Sequence, residues 1–342
     1  MTRSLLWRRI AILLAAVLLF TLPASAFVIG TVEDLEALTA SPENSDPVTA
    51  HNSVPIAQNF EFSTYKNVAI QEHLSAYDPD GDRIHFRLIK TPARGAAELS
   101  ENGLLTYTPY ENKTGKDSFT YVAEDSFGNV SSPATVKIKI QKQKSKVVYA
   151  DMTGHPAHRD AVRLAEEGVL VGQCLGGTYF FQPDDTMTRE AFLALSMAAL
   201  GKDTLPDAAV TGFSDDASIA VWAKPYVASA LKSGTITGSL GDTGRAVFDP
   251  LSPITQGEAA VLVNRLLNLS DIPAAGTLSD EDATLAWAAQ SQRNLEAVGV
   301  LQGTMAPDDL SQPLTNSDSA TMISAALGVL EFRENSGKFR FF

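Results

Sequence analysis

Three patterns of apolar and polar positions divide the chain. From Ile10 to Leu22 apolar residues run on with one polar interruption at Thr21, after Arg3, Arg8 and Arg9 and before Ala24-Ser25-Ala26. A charged start, a short apolar run and small residues where a signal peptidase reads predict a secretory leader over 1–26, cleaved after Ala26. The run is too short to span a bilayer comfortably, and no later segment is apolar enough to try, so no membrane span is expected after cleavage. An uncleaved anchor beginning at Leu5 is the alternative. Residues 27–51 are rich in Glu, Asp, Ser, Thr and Pro without periodicity, which predicts a linker.

The second pattern is alternation. Short β-type runs at 60–62, 84–88, 104–107, 118–122 and 135–140 are separated by turn residues at Asp80-Gly81, Asn102-Gly103, Thr114-Gly115 and Gly128-Asn129. Strands at this spacing, without helical patterning, predict a β-sandwich over 52–142. A polar, basic link covers 143–148.

The third pattern is helical and repeats itself. Its first copy (149–201) runs from Tyr149-Ala150-Asp151 through Gly168 and Gly172, then Phe181-Gln182-Pro183, to Thr188-Arg189-Glu190. The second (212–269) has Phe213-Ser214-Asp215, Trp222-Ala223, Gly234 and Gly238, Phe248-Asp249-Pro250 and Thr255-Gln256-Gly257-Glu258. The third (278–332) has Leu278-Ser279-Asp280, Trp287-Ala288, Gly299 and Gly303, and Thr315-Asn316-Ser317-Asp318. Residues 333–342 form a tail. Trp222, Tyr226, Val227, Ala230 and Leu231 fall on one predicted helix face. Gly168, Gly234 and Gly299 stand where such helices end. A second helix opens at each threonine: Thr255 with Glu258 makes a capping box and Thr315 with Asp318 approximates one. Thr188 has Ala191 at that position, leaving Glu190 to favour the helix dipole. Each unit is therefore expected to be a helical hairpin with one apolar side, and three such units can bury those sides around a shared axis.

Charge narrows the partners. The formal net charge is −13, and losing the leader's three arginines leaves 24 basic against 40 acidic residues, or −16. Such a surface repels phosphate backbones and argues against nucleic acid. It also repels an anionic wall polymer, so binding one requires a local cationic site. The single cysteine, Cys174, excludes an internal disulfide and a cysteine-rich zinc site; it is expected to be a small apolar filler. Of five histidines only His155 and His158 are close, and Pro156 between them makes a poor metal pair. There is no Gly-x-Ser-x-Gly elbow and no His-Glu-x-x-His. With linker, sandwich and repeats assigned, no stretch is left for a catalytic domain, so no enzyme activity is expected.

The ordered set of Phe-x-Asp, Trp-Ala, Gly-x-x-x-Gly, Phe-x-Pro and the threonine that opens a helix resembles the signature of the S-layer-homology family, over about 149–332. The resemblance implies a three-pronged α-helical spindle. It also implies export to the bacterial cell surface and binding of secondary cell-wall polysaccharide, often pyruvylated, in grooves between repeats. By the same resemblance the residue after the anchor threonine is a binding arginine. Arg189 follows Thr188, but Gln256 and Asn316 stand in that slot after Thr255 and Thr315. A guanidinium in a helix's first turn can grip a carboxylate, and exposed N–H groups of that turn would add anion affinity. Sugar rings could stack on Trp222 or Trp287. Asp151, Asp215 and Asp280 complete the candidate polymer-binding set; the other reading makes these aspartates helix caps and the tryptophans core.

Residues 52–142 resemble bacterial cadherin-like or immunoglobulin-like modules through Asp78-Pro79-Asp80-Gly81-Asp82, 103–109, 115–121 and 125–128. Asp78, Asp80 and Asp82 put hard oxygen ligands on one turn, a candidate Ca²⁺ site. Glu72, Asp117 or Asp125 could complete it. Ile89 at position twelve rules out an EF-hand, and the other reading is a turn stabilised by Asp side chains. No other cofactor is required.

The sequence thus predicts a multidomain chain, an all-β Ig/cadherin-like sandwich followed by an all-α three-repeat S-layer-homology spindle of helical hairpins. Its expected role is non-covalent wall anchoring that displays the sandwich as an adhesion or spacer module. The alternatives are an accessory structural or S-layer lattice protein, or a surface-attached polysaccharide or wall hydrolase.

Overall fold

The computed structural model describes residues 52–205, 208–272, 286–301 and 310–338. The expected leader, the linker to residue 51, Asp280 and Gly303 lie outside them. A β-rich region comes first and a helical region follows.

Nine strands build the first region: β1 (Ile56–Ala57), β2 (Phe60–Tyr65), β3 (Ile70–His73), β4 (Ala76–Tyr77), β5 (His85–Lys90), β6 (Gly95–Leu99), β7 (Leu104–Pro109), β8 (Gly115–Glu124) and β9 (Ala134–Gln141). One sheet runs β2-β9-β8-β5, the other β3-β7-β6, and β1 pairs with β4. β2 lies parallel to β9, with Phe60 beside Val136, so the chain's entry and exit strands are neighbours. Alternation sends Val136, Ile138 and Ile140 inward with Phe119 and Tyr121 to meet Ile70, Leu105 and Tyr107 of the other sheet. β3 and β6 were not among the expected strands. β6 reads Gly-Ala-Ala-Glu-Leu, with little β propensity. Packing explains it: a Cβ on Gly95 would stand 2.6 Å from the Tyr107 ring, so the strand needs a small residue there.

Asp117, buried on β8, accepts from Ala93 N at 2.9 Å, Arg94 N at 2.8 Å and the Tyr107 hydroxyl at 2.8 Å. Burial raises its pKa, but these donors outweigh burial and hold the carboxyl below its usual range. In the helical region Lys224 Nζ, at 2.6 Å, and the Thr211 side chain and N–H bring Asp216 down to about 2. A depressed carboxyl stabilises the fold above its unfolded pKa of about 3.9 and loses that contribution as pH falls through the folded value. Stability should therefore be flat at neutral pH and fall between about pH 4 and 2. Chemical unfolding across that range should show a shallower acid limb for Asp117→Asn; a limb unchanged in slope would refute the assignment.

The helical region holds α1 (His158–Glu166), α2 (Arg189–Ala199), α3 (Lys224–Lys232), α4 (Gln256–Leu267), α5 (Ala286–Ala297) and α6 (Asn316–Lys338). Two ribbons, β10–β11 (Gln173–Leu175 with Thr178–Phe180) and β12–β13 (Ser239–Leu240 with Ala246–Val247), lie between α1 and α2 and between α3 and α4. Gly168, Gly234 and Gly299 end the outer helices at φ +68°, +73° and +76°. In each, the next residue's N–H reaches back to close the helix: Val169 to Leu164, Thr235 to Ala230, Val300 to Leu295.

The units are not self-packed hairpins, which corrects the expectation. α2, α4 and α6 pack on one another at the centre, while α1 packs on α6, α3 on α2 and α5 on α4. Each outer helix thus lies on a central helix of the neighbouring unit. In the first two units the connection between outer and central helix carries its own ribbon, far longer than the two to five residues of a tight helical turn.

Three backbone hydrogen bonds close this arrangement into a ring: Met187 N to Leu314 O, Ile254 N to Met187 O and Leu314 N to Ile254 O, at 2.9, 3.0 and 2.8 Å. Each residue immediately precedes an anchor threonine, so the three helix starts meet on one axis. Buried Phe192, Leu193, Val263, Leu266, Ile323 and Ala326 fill the space around it.

The sandwich is seated on the helical region. Val68 joins the helical core, Arg159 of α1 pairs with Glu72 of β3, and Glu166 accepts from Lys144 N and Ser145 N at 2.5 Å each. The expected link over 143–148 is thereby strapped to α1.

Candidate functional site

The threonines open their helices as their sequence context requires. Thr255 and Glu258 form the full capping box. Thr315 and Asp318 reciprocate in the same way, Asp318 N to Thr315 Oγ1 at 3.1 Å and Thr315 N to Asp318 Oδ2 at 3.2 Å. Thr188 accepts only from Ala191 N. Glu190 is buried and its carboxylate takes the N–H of Ala220 at 3.0 Å, a bond to the loop before α3 rather than a purely local dipole contact.

The N–H groups expected to attract anions at these helix starts are already satisfied. Arg189 and Glu190 N–H donate to Ser252 O and Pro250 O, Gln256 and Gly257 N–H to Gln312 O and Leu310 O, and Asn316 and Ser317 N–H to Asp185 O and Pro183 O. The same step, unit to unit, closes the circle. These donors hold the fold and offer nothing to a ligand, which removes one of the two sources of anion affinity expected from sequence.

The aspartates serve the same loops. Asp151 accepts from Phe181 N at 3.0 Å and Gln182 N at 2.7 Å; Asp215 accepts from Phe248 N at 3.0 Å and Asp249 N at 2.7 Å. Gln182 and Asp249 sit at φ +56° and +57°, a strained region for non-glycine residues. The carboxylate clamp holds each in place, and α1 and the turn at Asp216–Ser218 have no side-chain cap. Neither aspartate caps a helix.

The clamped turns then present carbonyls to the slot after the threonine. Arg189 Nε donates to Asp249 O at 3.3 Å, and Asn316 Nδ2 to Gln182 O at 2.9 Å. Asn316 is used up in this contact. Arg189 is longer. Its Nη1 reaches Glu258 at 2.5 Å, and Nη2 has no protein acceptor among the described residues.

That guanidinium lies in a groove of about 450 Å³ whose walls include Phe248, Glu258, Arg265 and Trp287. α2 supplies Arg189, the loop after α3 supplies Ile236–Gly238, α4 supplies Glu258 and Arg265, and α5 supplies Trp287. Gly238 is required there: at φ +74°, a Cβ would stand 2.5 Å from the Phe213 ring and 2.6 Å from Val247 O. Two cations against one anion make the groove locally positive on an acidic chain. Trp287, 53% exposed, gives an apolar face on which a sugar ring can stack.

Arg189 and Trp287, predicted from different copies, therefore meet in one groove. Asp151, Asp215, Trp222, Thr188, Thr255, Gln256, Thr315 and Asn316 do not line it. Trp222 is 55% exposed in the turn before α3, whose core face is made by Val227 and Ala230. Arg265 was missed. It follows Glu258 by seven residues, two helical turns on the same face, a signal that could have found it. Its Nη1 donates to Thr235 O at 2.9 Å, which ties the groove's loop to α4.

Other candidates find different uses. Cys174 is exposed on β10 and fills no core position. His155 Nδ1 accepts from Ala157 N and His158 is held below its usual pKa by burial and by His155; the only metal-like cluster among the described residues is Asp78, Asp80 and Asp82. Glu72 is engaged by Arg159 and Asp117 by the donors described above.

Comparison with known proteins finds two family matches. Residues 44–142 match the bacterial cadherin-like domain and residues 212–260 match the S-layer homology domain. "Exoglucanase XynX" of Acetivibrio thermocellus is 29% identical over 138 residues, 39% of this chain and 12% of the relative. "Amylopullulanase" of Thermoanaerobacterium thermosulfurigenes is 37% identical over 92 residues, 26% of this chain and 5% of the relative. The matched stretches are thus a small part of both relatives. Among solved structures, the SrpA adhesin of Streptococcus sanguinis aligns with 29% of this chain and 62% of its own at 18% identity, with a TM-score of 0.21. No helix among the described residues is long and apolar enough to cross a membrane.

Proposed function

We propose that this chain, which carries a bacterial cadherin-like domain and an S-layer homology domain, anchors itself non-covalently to the cell wall and displays the sandwich beyond it. The reading takes the three helix–loop–helix units as three S-layer-homology repeats forming one spindle, and the protein as exported. The closed ring at Met187, Ile254 and Leu314 supports three equivalent units. The observation that carries the ligand is the groove, where Arg189, Arg265 and Trp287 offer positive charge beside an aromatic face. A sugar bearing a carboxylate, such as a pyruvyl ketal, matches both features.

A single equipped groove follows from the slot residues. Asn316 is committed to Gln182 O, and neither Gln256 nor Asn316 can neutralise a carboxylate. The two relatives support a role apart from catalysis: partial matches to two differently named enzymes, at 12% and 5% of their lengths, fit attachment better than either reaction. Glu258, the one carboxylate lining the groove, is held by Arg189 and Thr255 N and faces no second carboxylate there to make the acid–base pair of glycoside hydrolysis.

The test is sedimentation of the mature protein with cell-wall sacculi, native or stripped of secondary polymer. Co-sedimentation with native sacculi alone is expected. Equal pelleting with both would remove polymer binding, and sugars released from labelled wall fragments would replace anchoring with hydrolysis.

A further inference from the structure

We propose that the sandwich is locked to the first helical unit as one rigid body, so that the chain holds it out as a fixed strut and not as a module on a tether. The joint has three parts. The first is an apolar plug. Tyr65 to Val68 makes the turn that leaves β2 for β3, with Val68 N donating to Tyr65 O at 3.1 Å. Asn67 stands in it at φ +63°, a left-handed conformation that asparagine tolerates. Asn112 N donates to the Asn67 side chain at 2.7 Å, and the Thr64 hydroxyl to Val68 O at 2.7 Å. The turn so braced gives Val68, 3% exposed, to the helical core and not to the sandwich's own. Tyr65 packs against the same core. Parting the two regions would return this apolar surface to water.

The second part is polar. Glu72 of β3 pairs with Arg159 of α1. Arg159 Nε donates to Asp160 at 3.4 Å, and buried Asp160 accepts from the Ser324 hydroxyl of α6 at 2.8 Å. One run of contacts thus leads from the sandwich through α1 into a central helix of the ring. Its members support one another, because losing one leaves a largely buried charge without its partner.

The third part is the link. Residues 142–146 alone separate the end of β9 at Gln141 from buried Val147. Glu166 of α1 holds the N–H groups of Lys144 and Ser145, so this short stretch has no slack in which to swing. Lys66 N donates to Gln141 O at 2.8 Å, which sets the plug beside the point where the chain leaves the sandwich. Through α6 and Leu314 the joint reaches the ring, and so the sandwich keeps one orientation to the groove at Arg189. That the strut stands on the wall rests on the anchoring proposed above; the joint itself does not.

Spin labels on the native Cys174, exposed on β10, and at exposed position 108 of β7 (Thr108→Cys) read the joint directly in the mature protein. One narrow distance distribution is expected. Val68→Asp puts a charge where the plug sits and should lose that narrow peak. Thermal unfolding gives a second measure. Trp222 and Trp287 are the mature chain's tryptophans and report the helical region alone, whereas calorimetry reports the whole. The two should show one coincident transition. Val68→Ala and Glu72→Gln, both in the sandwich and both mild enough to fold, should each lower the tryptophan midpoint by about 4 °C. Arg189→Ala should keep the narrow distribution, whether or not the protein binds sacculi, which separates the joint from wall binding. A broad distribution in the unaltered protein, a separate calorimetric transition that the tryptophans do not follow, or a tryptophan midpoint unmoved by both Val68→Ala and Glu72→Gln overturns the proposal.

Discussion

Arg189→Ala should reduce binding to native sacculi by about 10- to 100-fold, the loss of one charge-assisted contact of about 1.5–3 kcal/mol. The effect is expected to be large because the N–H groups of its helix start are bonded to Ser252 and Pro250 and add no anion affinity, while the groove's other cation, Arg265, is tied to Thr235 O. The fold should tolerate the change, since Arg189 is a groove residue and the ring hydrogen bonds use backbone alone. Glu258 gives the opposite sign. It holds Nη1 of Arg189 and places a negative charge beside the ligand's own. Glu258→Gln keeps an acceptor for Thr255 N, so the helix start survives, and it should tighten binding several-fold. Sedimentation isotherms at two salt concentrations would measure both, with the Arg189 contribution weakening as salt rises. Equal affinity for Arg189→Ala and the unaltered protein would sink the groove; weaker binding by Glu258→Gln would show that Glu258 aids the ligand rather than competing with it.

Asp215→Ala should lower stability by about 3 kcal/mol, among the larger single-site losses. Two N–H groups, of Phe248 and Asp249, lose a charged acceptor, and each unsatisfied donor costs about 1–3 kcal/mol. Asp249 would also lose what holds it at φ +57°. Phe248 lines the groove and Asp249 O receives Arg189 Nε, so binding should weaken together with stability. Asp215→Asn keeps one acceptor oxygen and should lose about half as much. Asp151→Ala should match Asp215→Ala in stability, because it clamps the equivalent turn, yet leave sacculus binding nearly intact, because its turn faces Asn316. Thermal unfolding beside sedimentation separates the two. A stable Asp215→Ala protein with reduced binding would return Asp215 to the ligand.

Much of this architecture is legible in local chemistry. Glycines at 168, 234 and 299 announce helix ends because only they take a left-handed φ without strain, and Thr255 with Glu258 announces a helix start because the box closes within four residues. Alternation along 134–140 places Val136, Ile138 and Ile140 inside for the same reason: the β period is a property of one strand. β6 is invisible in the sequence because its composition answers to the Tyr107 ring, a neighbour ten or more residues away. Trp222 is misplaced by helical spacing because α3 begins only at Lys224, so the spacing does not extend back to it.

Short segments of the sequence were enough to specify the sandwich, the helix starts and stops and the one cationic slot at Arg189. Each is written within a few residues, or in a motif that recurs. Only the tertiary structure decided which helix packs on which, and with it the site. The outer helices cross to the neighbouring unit because the connections are long, so Arg189, Arg265 and Trp287 from three units converge on one groove. It also decided that the motif aspartates clamp turns and that the helix-start N–H groups are spent on closing the ring. Satisfying buried donors is a demand of the whole fold, and no single segment shows where its partners will come from.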